Sequence, residues 1–143
     1  MTEVGRAATP RHSFAELSRA ECEQLLAAES IGRVAWNAPD GPQVLPVNYR
    51  WLDGEIVFRT TPDGALSWVA RRQRIAFEVD EIDLEARTAW SVQVRGTADA
   101  LRNRQELADL WSSSAVVPWA SGQRTLFIAI TPTEITGRVV RAW

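Results

Sequence analysis

Residues 44–61 have the sequence VLPVNYRWLDGEIVFRTT, which predicts two antiparallel strands joined by a tight turn. Asp53-Gly54 between alternating apolar residues is a strong hairpin signal, because both residues tolerate the positive φ of a two-residue turn. Pro46 has no backbone N–H, so it marks an edge, a bulge or a backbone that faces something other than a neighbouring strand. The stretch therefore predicts a hairpin, Val44–Trp51 and Glu55–Thr60, with an irregular edge.

The same period of two recurs on both sides of this hairpin, separated by short helical segments. Further strands are predicted at Ile31–Trp36, Arg74–Asp80, Ala89–Leu101, Thr125–Thr131 and Glu134–Val140, the last two joined by Pro132-Thr133. Short helices are predicted near residues 18–30, 64–72 and 103–112, and an acidic loop at Glu81–Arg87. About six strands with helices between hairpins predict a mainly β fold, a small antiparallel barrel with short helical caps.

The start of the chain differs from the remainder. Residues 1–13 have no periodicity and are expected to form a flexible N-terminal segment, so residues 14–143 would form a single domain. Ser18 and Glu21 have the spacing of a capping box, which fixes the start of the first helix.

Composition excludes several classes of protein. The 143 residues carry 18 acidic and 16 basic side chains, all of the latter arginine, and this balance argues against a nucleic-acid binder. One cysteine, Cys22, and one histidine, His12, argue against a disulfide framework, a metal site and a Ser-His-Asp or Cys-His catalytic group. Without a long apolar run or a signal peptide, the expected location is the cytoplasm, with no membrane partner.

Motifs for unaided catalysis and for nucleotide binding are missing. The eight glycines never form Gly-x-Gly, which rules out the dinucleotide fingerprint, and no Gly-x-Ser-x-Gly elbow occurs. An enzyme that relies on its own side chains is therefore not expected.

The two strands of the hairpin bring a polar set together. Asn48, Arg59, Thr60 and Thr61 would lie on one face, and a guanidinium with hydroxyl groups suits a phosphate. The residues alone leave the alternative open, an ordinary solvated strand face with a surface arginine.

Other segments carry weaker signals. Ser91, Gln93 and Arg95 project from one strand face beside Gly96, which would allow close approach of a neighbouring backbone, although a polar edge strand explains them equally well. A tryptophan and an arginine flank a glycine turn in the loop Pro118–Arg124. Three arginines, Arg71, Arg72 and Arg74, precede an acidic set and could form a phosphate clamp beside a metal-binding carboxylate group. Pairing between the two groups in solvent is the simpler interpretation, the acidic set being Glu78, Asp80, Glu81, Asp83 and Glu85. The seven tryptophans are scattered, as expected for core and subunit-interface residues.

These segments occur in a familiar order along residues 17–141. The ordered set is Leu-Ser-x-x-Glu-Cys at the first helix, Ile31-Gly32-Arg33, Pro46-Val47-Asn48-Tyr49, Phe58-Arg59-Thr60, Phe77-Glu78-Val79-Asp80, Trp90-Ser91-Val92 with Gly96, and Pro118-Trp119 with Ile135-Thr136-Gly137-Arg138. In this order they resemble the pyridoxamine-5′-phosphate-oxidase-like flavin-binding split-barrel family, in its small actinobacterial branch.

The resemblance implies a six-stranded antiparallel split barrel that forms a homodimer and holds flavin mononucleotide (FMN) between its subunits. It implies that one strand contacts the flavin ring through Val47, Asn48 and Tyr49. It implies that the next strand and the helix after it contact the ring and the phosphate through Arg59, Thr60, Thr61, Ser67 and Arg71. It implies further contacts from the partner subunit, through Ser91, Trp119 and Arg124. The function it implies is that of a flavin-dependent oxidoreductase acting on a small molecule.

One position departs from the family pattern. Members usually carry Gly-x-Lys-Leu after the Phe-Arg-Thr strand, where this chain has Gly64-Ala65-Leu66. Losing a charge-assisted hydrogen bond to phosphate costs about 1.5–3 kcal/mol, unless Arg71 or Arg72 compensates. The alternative is therefore a non-catalytic module that binds or sequesters a flavin, a deazaflavin or haem. Oxidation of pyridoxamine phosphate itself is not expected, because Arg138-Val139-Val140-Arg141 replaces that enzyme's Arg-x-His segment.

Overall fold

The computed structural model describes residues 12–101, 105, 109 and 126–142, and seven strands fall within these ranges. They are β1 (His12–Glu16), β2 (Ile31–Ala38), β3 (Gly41–Leu52), β4 (Glu55–Thr60), β5 (Gln73–Asp83), β6 (Thr88–Ala100) and β7 (Leu126–Ala142). One α-helix, α1 (Arg19–Ala28), follows β1, and a 3₁₀ helix (Ala65–Ala70) lies between β4 and β5. Of the helix predicted near residues 103–112, only Gln105 and Asp109 are described, and both are helical.

The strands form one antiparallel sheet that closes on itself. The order is β1-β7-β4-β3-β2-β5-β6, and β6 also pairs with β7, so six strands make a ring. β1 lies outside the ring, paired with the far end of β7. The prediction of a mainly β, six-stranded antiparallel barrel with short helical caps is confirmed, and β1 is a strand that was not predicted.

The two strands predicted at the end of the chain are a single strand, β7. On one edge it pairs with β4 through Leu126–Ile130 and with β1 through Arg138–Ala142. On the other edge its register with β6 shifts between Arg95 and Gly96, at the point that faces Pro132. An irregularity of this kind accommodates a proline without ending the strand, so the expectation of a turn at Pro132-Thr133 was wrong.

Two other boundaries differ from the predictions for a related reason. β5 continues to Asp83 and pairs with β6 there, so the acidic loop predicted at Glu81–Arg87 shrinks to a turn at residues 84–87. β1 begins at His12, so the last two residues of the segment predicted to be flexible are in a strand, and residues 1–11 lie outside the described ranges. In both places backbone pairing orders residues whose side chains are polar or exposed.

Alternating residues of the ring point inward and form the core together with α1. The core contains large side chains from α1 and all six strands of the ring: Leu26, Val34, Tyr49, Phe58, Phe77, Val92 and Ile128. The capping box of α1 is confirmed, since the Ser18 amide donates to Glu21 Oε1 at 3.0 Å and the Glu21 amide donates to Ser18 Oγ at 3.2 Å. Among the described residues, no helix is long and apolar enough to cross a membrane.

The closure of the ring depends on a glycine. A Cβ atom at Gly96 would collide with the Thr131 carbonyl oxygen and lie 3.1 Å from the Pro132 Cα. The predicted close approach of a neighbouring backbone at Gly96 is therefore confirmed.

We expect Gly96→Ala to lower the free energy of unfolding by about 1–3 kcal/mol or more, because backbone rather than a movable side chain blocks the new methyl group. Urea denaturation followed by circular dichroism measures this. Arg95→Ala is the control, since Arg95 is exposed and its 3.5 Å pair with Glu134 is a surface pair of little energetic value. Equal stability of Gly96→Ala and the parent chain would contradict the close approach.

Candidate functional site

β3 and β4 separate at one point of the ring and leave an opening. Their ladder runs only from Leu52↔Glu55 to Tyr49↔Phe58. Beyond it β3 follows β2, whereas β4 follows β7. In the described part of the chain, residues 41–47 of β3 therefore have no strand partner on the β4 side. Pro46 lies in this one-sided stretch, as its missing N–H predicted.

The β3 side of the opening presents one outward side chain between two inward ones. Asn48 is half-buried, whereas Val47 and Tyr49 point into the core. Tyr49 is 2% exposed, its hydroxyl donates to the Leu26 carbonyl at 2.7 Å, and its ring meets Phe77 edge-on at 4.8 Å between centroids. Burial, with a smaller contribution from Glu29, raises the pKa of this hydroxyl. The side chains of Val47 and Tyr49 thus do not face the opening, and the Tyr49 amide donates to the Ser30 carbonyl at 2.9 Å on the β2 side.

Arg59 lies on the β4 side, directly after Phe58, the last residue of β4 that pairs with β3. It is half-buried, and its Cζ lies 5.2 Å from the centroid of the Phe127 ring. Phe127 packs with Val57 and Ala129 in a small apolar cluster separate from the main core. This cluster supports a cation–π contact that holds the guanidinium beside the opening. Asn48 and Arg59 are the first residues beyond the ladder on either side, so their predicted proximity agrees with the register.

The end of β4 turns sharply around Gly64. The Gly64 amide donates to the Thr61 carbonyl at 3.2 Å, and Ser67 Oγ donates to the Gly64 carbonyl at 2.6 Å. A Cβ at Gly64 would lie 2.5 Å from Thr61 Oγ1 and 3.9 Å from Thr60 Oγ1. The turn therefore brings Thr60, Thr61 and Ser67 together. Since the Ser67 hydroxyl proton is already used, Ser67 stabilises the turn. Thr60 is 2% exposed and lies on the inner face of β4, opposite to Arg59, so the two do not share the predicted polar face, and the half-buried Thr61 carries the more accessible hydroxyl.

Arg71 lies just after the 3₁₀ helix that begins with Ala65. It is exposed, and its Cζ lies 4.6 Å from the centroid of the Trp68 ring. Arg72 instead faces Asp99 at 3.5 Å. Arg71 is therefore the arginine with a defined orientation near the position where the family pattern has lysine.

Ser91 belongs to a different part of the surface. In the sheet order, β2 and β5 separate β6 from β3, and β7 separates it from β4. Ser91 faces a cavity of about 570 Å³ on the outside of the ring, together with Glu78, Asp80, Gln93 and Arg138. Within one chain it is not brought to the opening, and its contribution from a partner subunit stays a prediction. Trp119 and Arg124 lie outside the described residues.

An ion-pair network beside this cavity was not predicted. Arg33 Nη2 lies 2.7 Å from Asp80 Oδ1, and Arg33 Nε lies 3.6 Å from Glu78 Oε2. Glu78 Oε1 is buried without a hydrogen-bond partner in the described structure. Burial and then Asp80 raise the pKa of Glu78 to about 7, whereas the hydrogen bond from Arg33 lowers the pKa of Asp80. Glu78 and Asp80 of the acidic set thus pair with Arg33 on the neighbouring strand β2, and not with the arginines that precede them in sequence. The network could not be predicted because the sequence does not show that Arg33 of β2 pairs with Glu78 of β5.

Comparison with known proteins agrees with this architecture. The family model described as pyridoxamine 5′-phosphate oxidase matches residues 18–139. The chain belongs to this family. An uncharacterised protein of Mycobacterium tuberculosis is 31% identical, with 96% of this chain and 93% of that protein covered.

Two solved structures of family-like proteins superpose over most of the chain. The FAD binding protein from Mycobacterium smegmatis has a TM-score of 0.77 at 31% identity, covering 89% of this chain and 98% of that one. A protein from Corynebacterium glutamicum has a TM-score of 0.75 at 32% identity, covering 88% and 92%. The fold inferred from the family resemblance is therefore confirmed.

We expect Tyr49→Phe to lower the free energy of unfolding by about 1–3 kcal/mol, because the Leu26 carbonyl near the end of α1 would be buried without a donor. Thermal and urea denaturation measure the loss. Trp51→Phe serves as the comparison, because Trp51 lies two residues further along β3 and is half-buried. A Tyr49→Phe protein as stable as the parent would show that the hydroxyl contributes nothing to holding α1.

We expect Glu78→Gln to stabilise the protein at pH 8 but not at pH 5. A raised pKa means that the folded state favours the neutral carboxyl, so this contribution to stability is full below the ordinary value of 4.5 and is lost as pH rises through about 7. Glutamine stays neutral throughout. Urea denaturation at both pH values measures the difference, with Glu85→Gln in the exposed turn as control. Equal effects at both pH values would contradict the raised pKa.

Proposed function

We propose that this protein binds a flavin at the opening between β3 and β4 and acts, as a homodimer, as a flavin-dependent oxidoreductase on a small molecule. One observation carries the proposal. The two strands separate beyond Tyr49↔Phe58, so backbone groups of residues 41–47 of β3 have no strand partner on the side of the half-buried Arg59 in the described part of the chain. A planar heterocycle with polar atoms along its edge can use such backbone groups, because they need hydrogen-bond partners.

The side chains around the opening fit a phosphorylated flavin. Arg59, held over Phe127, offers a guanidinium fork for phosphate oxygens, and the half-buried Thr61 lies at the start of the turn that follows the same strand. Asn48 is the outward amide on the opposite strand. The flavin would supply the redox chemistry, and these residues would bind and orient it.

FMN is the form we propose, with FAD as the direct competitor. The 31% identical protein from M. smegmatis is an FAD binding protein, which supports a flavin without choosing the form. Arg71, stacked on Trp68 at 4.6 Å, is the cation best oriented to replace the lysine missing at Ala65. It would contact the phosphate end of either molecule.

A second chain completes the site in this proposal. Ser91 is separated from the opening by intervening strands within one protomer. A twofold-related copy could bring its outer face, with Ser91, against the open side of β3 and β4, as the family resemblance implies. Sedimentation of the purified protein tests this, since a monomer would leave Ser91 without access to the ligand.

We expect Arg59→Ala to weaken flavin binding at least about tenfold, because it removes a charge-assisted contact worth about 1.5–3 kcal/mol. Titration of the parent and the variant with FMN and with FAD, followed by flavin fluorescence, gives the dissociation constants. Arg19→Ala is the matched control, since Arg19 is an exposed helix residue paired with Glu23. Unchanged affinity would remove Arg59 from the site, and a parent chain that binds neither flavin would overturn the proposed function.

A non-catalytic binding module is the second candidate, and Ala65 favours it. Without a cation at that position, the chain could keep the opening for a flavin, a deazaflavin or haem and simply retain the ligand. Steady oxidation of a reduced nicotinamide by the flavin-loaded protein, with an added electron acceptor, would contradict this candidate. Saturable binding without turnover would support it.

A further inference from the structure

We propose that a second cavity, located where β2 and β5 separate, binds a small organic anion. This fork cavity is lined by residues of five strands and has a volume of about 630 Å³. Its lining includes Pro42 and Gln43 of the one-sided stretch of β3 but none of Asn48, Arg59, Thr61 and Arg71. The proposal therefore does not use the side chains proposed to bind flavin.

The fork is a consequence of strand pairing. The ladder between β2 and β5 covers only Arg33↔Glu78, Val34↔Phe77 and Ala35↔Ala76. Beyond Ala35, β2 continues with β3 as far as Ala38, while β5 continues toward Gln73 with β6. The two hairpins therefore diverge, and the space between them becomes the cavity.

The indole of Trp36 forms part of the wall of this cavity. Trp36 is 4% exposed, and its Nε1 is buried and has no hydrogen-bond partner among the described residues. Because Nε1 has almost no accessible surface, the indole would respond to a ligand in the cavity through its ring rather than through a direct hydrogen bond.

The charged groups of the lining are both cations. Arg74 and Arg95 line the cavity, and its lining contains neither aspartate nor glutamate. Because Arg74 pairs with Thr97 and Arg95 with Ala76, the two arginines are diagonal neighbours on one outer face of β5 and β6. Long side chains at diagonal positions can reach one common ligand.

Pairing within the chain offsets this positive charge only weakly. Arg95 lies 3.5 Å from Glu134, but both side chains are more than half exposed, and such a pair contributes little. In the described structure, Arg74 has no carboxylate within ion-pair distance. An anion between the two guanidinium groups would relieve their mutual repulsion and form charge-assisted hydrogen bonds.

The remaining lining indicates a ligand larger than an inorganic ion. Apolar groups line part of the cavity, and side-chain amides and hydroxyls line another part: Ala35, Pro42, Ile75 and Ala76, then Asn37, Gln43, Thr97 and Thr133. This combination suits a compact carbon body that carries one carboxylate or phosphate group. A cationic ligand would meet only like charge.

Nuclear magnetic resonance of the indole N–H groups tests the proposal directly. The chain has seven tryptophans, so the Trp36 signal can be assigned by sequential assignment or by its loss in Trp36→Phe. The probes are phenyl phosphate and benzoate, with inorganic phosphate as the bare anion and benzylamine as the cation of similar size. We expect saturable shifts of the Trp36 indole signal with the two aromatic anions, and none with benzylamine.

Two substitutions test whether anion binding depends on the charge of the arginines while the fold is retained. Arg74→Gln and Arg95→Gln, alone and together, should weaken anion binding about tenfold or more in the double variant, with the dispersed spectrum retained because both side chains are exposed. Arg59→Ala should leave the Trp36 shift unchanged. The proposal is overturned by an absent Trp36 shift, by equal shifts with benzylamine, or by anion affinity that survives the double variant. Binding by inorganic phosphate alone would overturn the organic class of ligand.

Discussion

The rest of the structure depends on the pairing between β6 and β7, which turns an open sheet into a ring. This contact is the longest ladder of the fold, and it passes Pro132 only because Gly96 lacks a side chain at the shift in register. Once the ring closes around a small core, strands of unequal length cannot stay paired with both neighbours along their whole length. The two openings, between β3 and β4 and between β2 and β5, are therefore products of closure. Both candidate sites lie where hydrogen-bonded ladders end.

Much of this fold could be predicted from local sequence patterns. The limits of β4 and the tight turn before it follow from Asp53-Gly54 and alternating apolar residues. These patterns failed where pairing between strands that are far apart in the sequence determines the limits of a strand. Pro132 indicates a turn by composition, but its neighbour β6 accommodates it inside a strand. β1 has little apolar periodicity, because the opposite strand and not the core orders it.

The candidate site, like the fold, could be predicted only in part from the sequence. Asn48 and Arg59 could be placed together because one hairpin connects them, and a role for them in flavin binding is implied by the family resemblance alone. Sequence alone could not show that Tyr49 uses its hydroxyl to bind a helix carbonyl, since that partner belongs to another element. It also could not show that Arg33 pairs with Asp80 or that Trp36 has an unsatisfied donor, because both facts depend on which strands become neighbours in the ring.

The one-sided stretch of β3 has a consequence for behaviour in concentrated solution. An exposed strand edge with apolar side chains, here Val44 at 59% exposure beside Leu45, invites pairing with a strand of another molecule and hence aggregation. Two prolines in the same stretch, Pro42 and Pro46, remove N–H donors that such pairing would need. The edge is thereby a poor template for an added strand, while its remaining backbone groups stay accessible to a flat small molecule. Protection against aggregation and access for a ligand thus arise from the same residues.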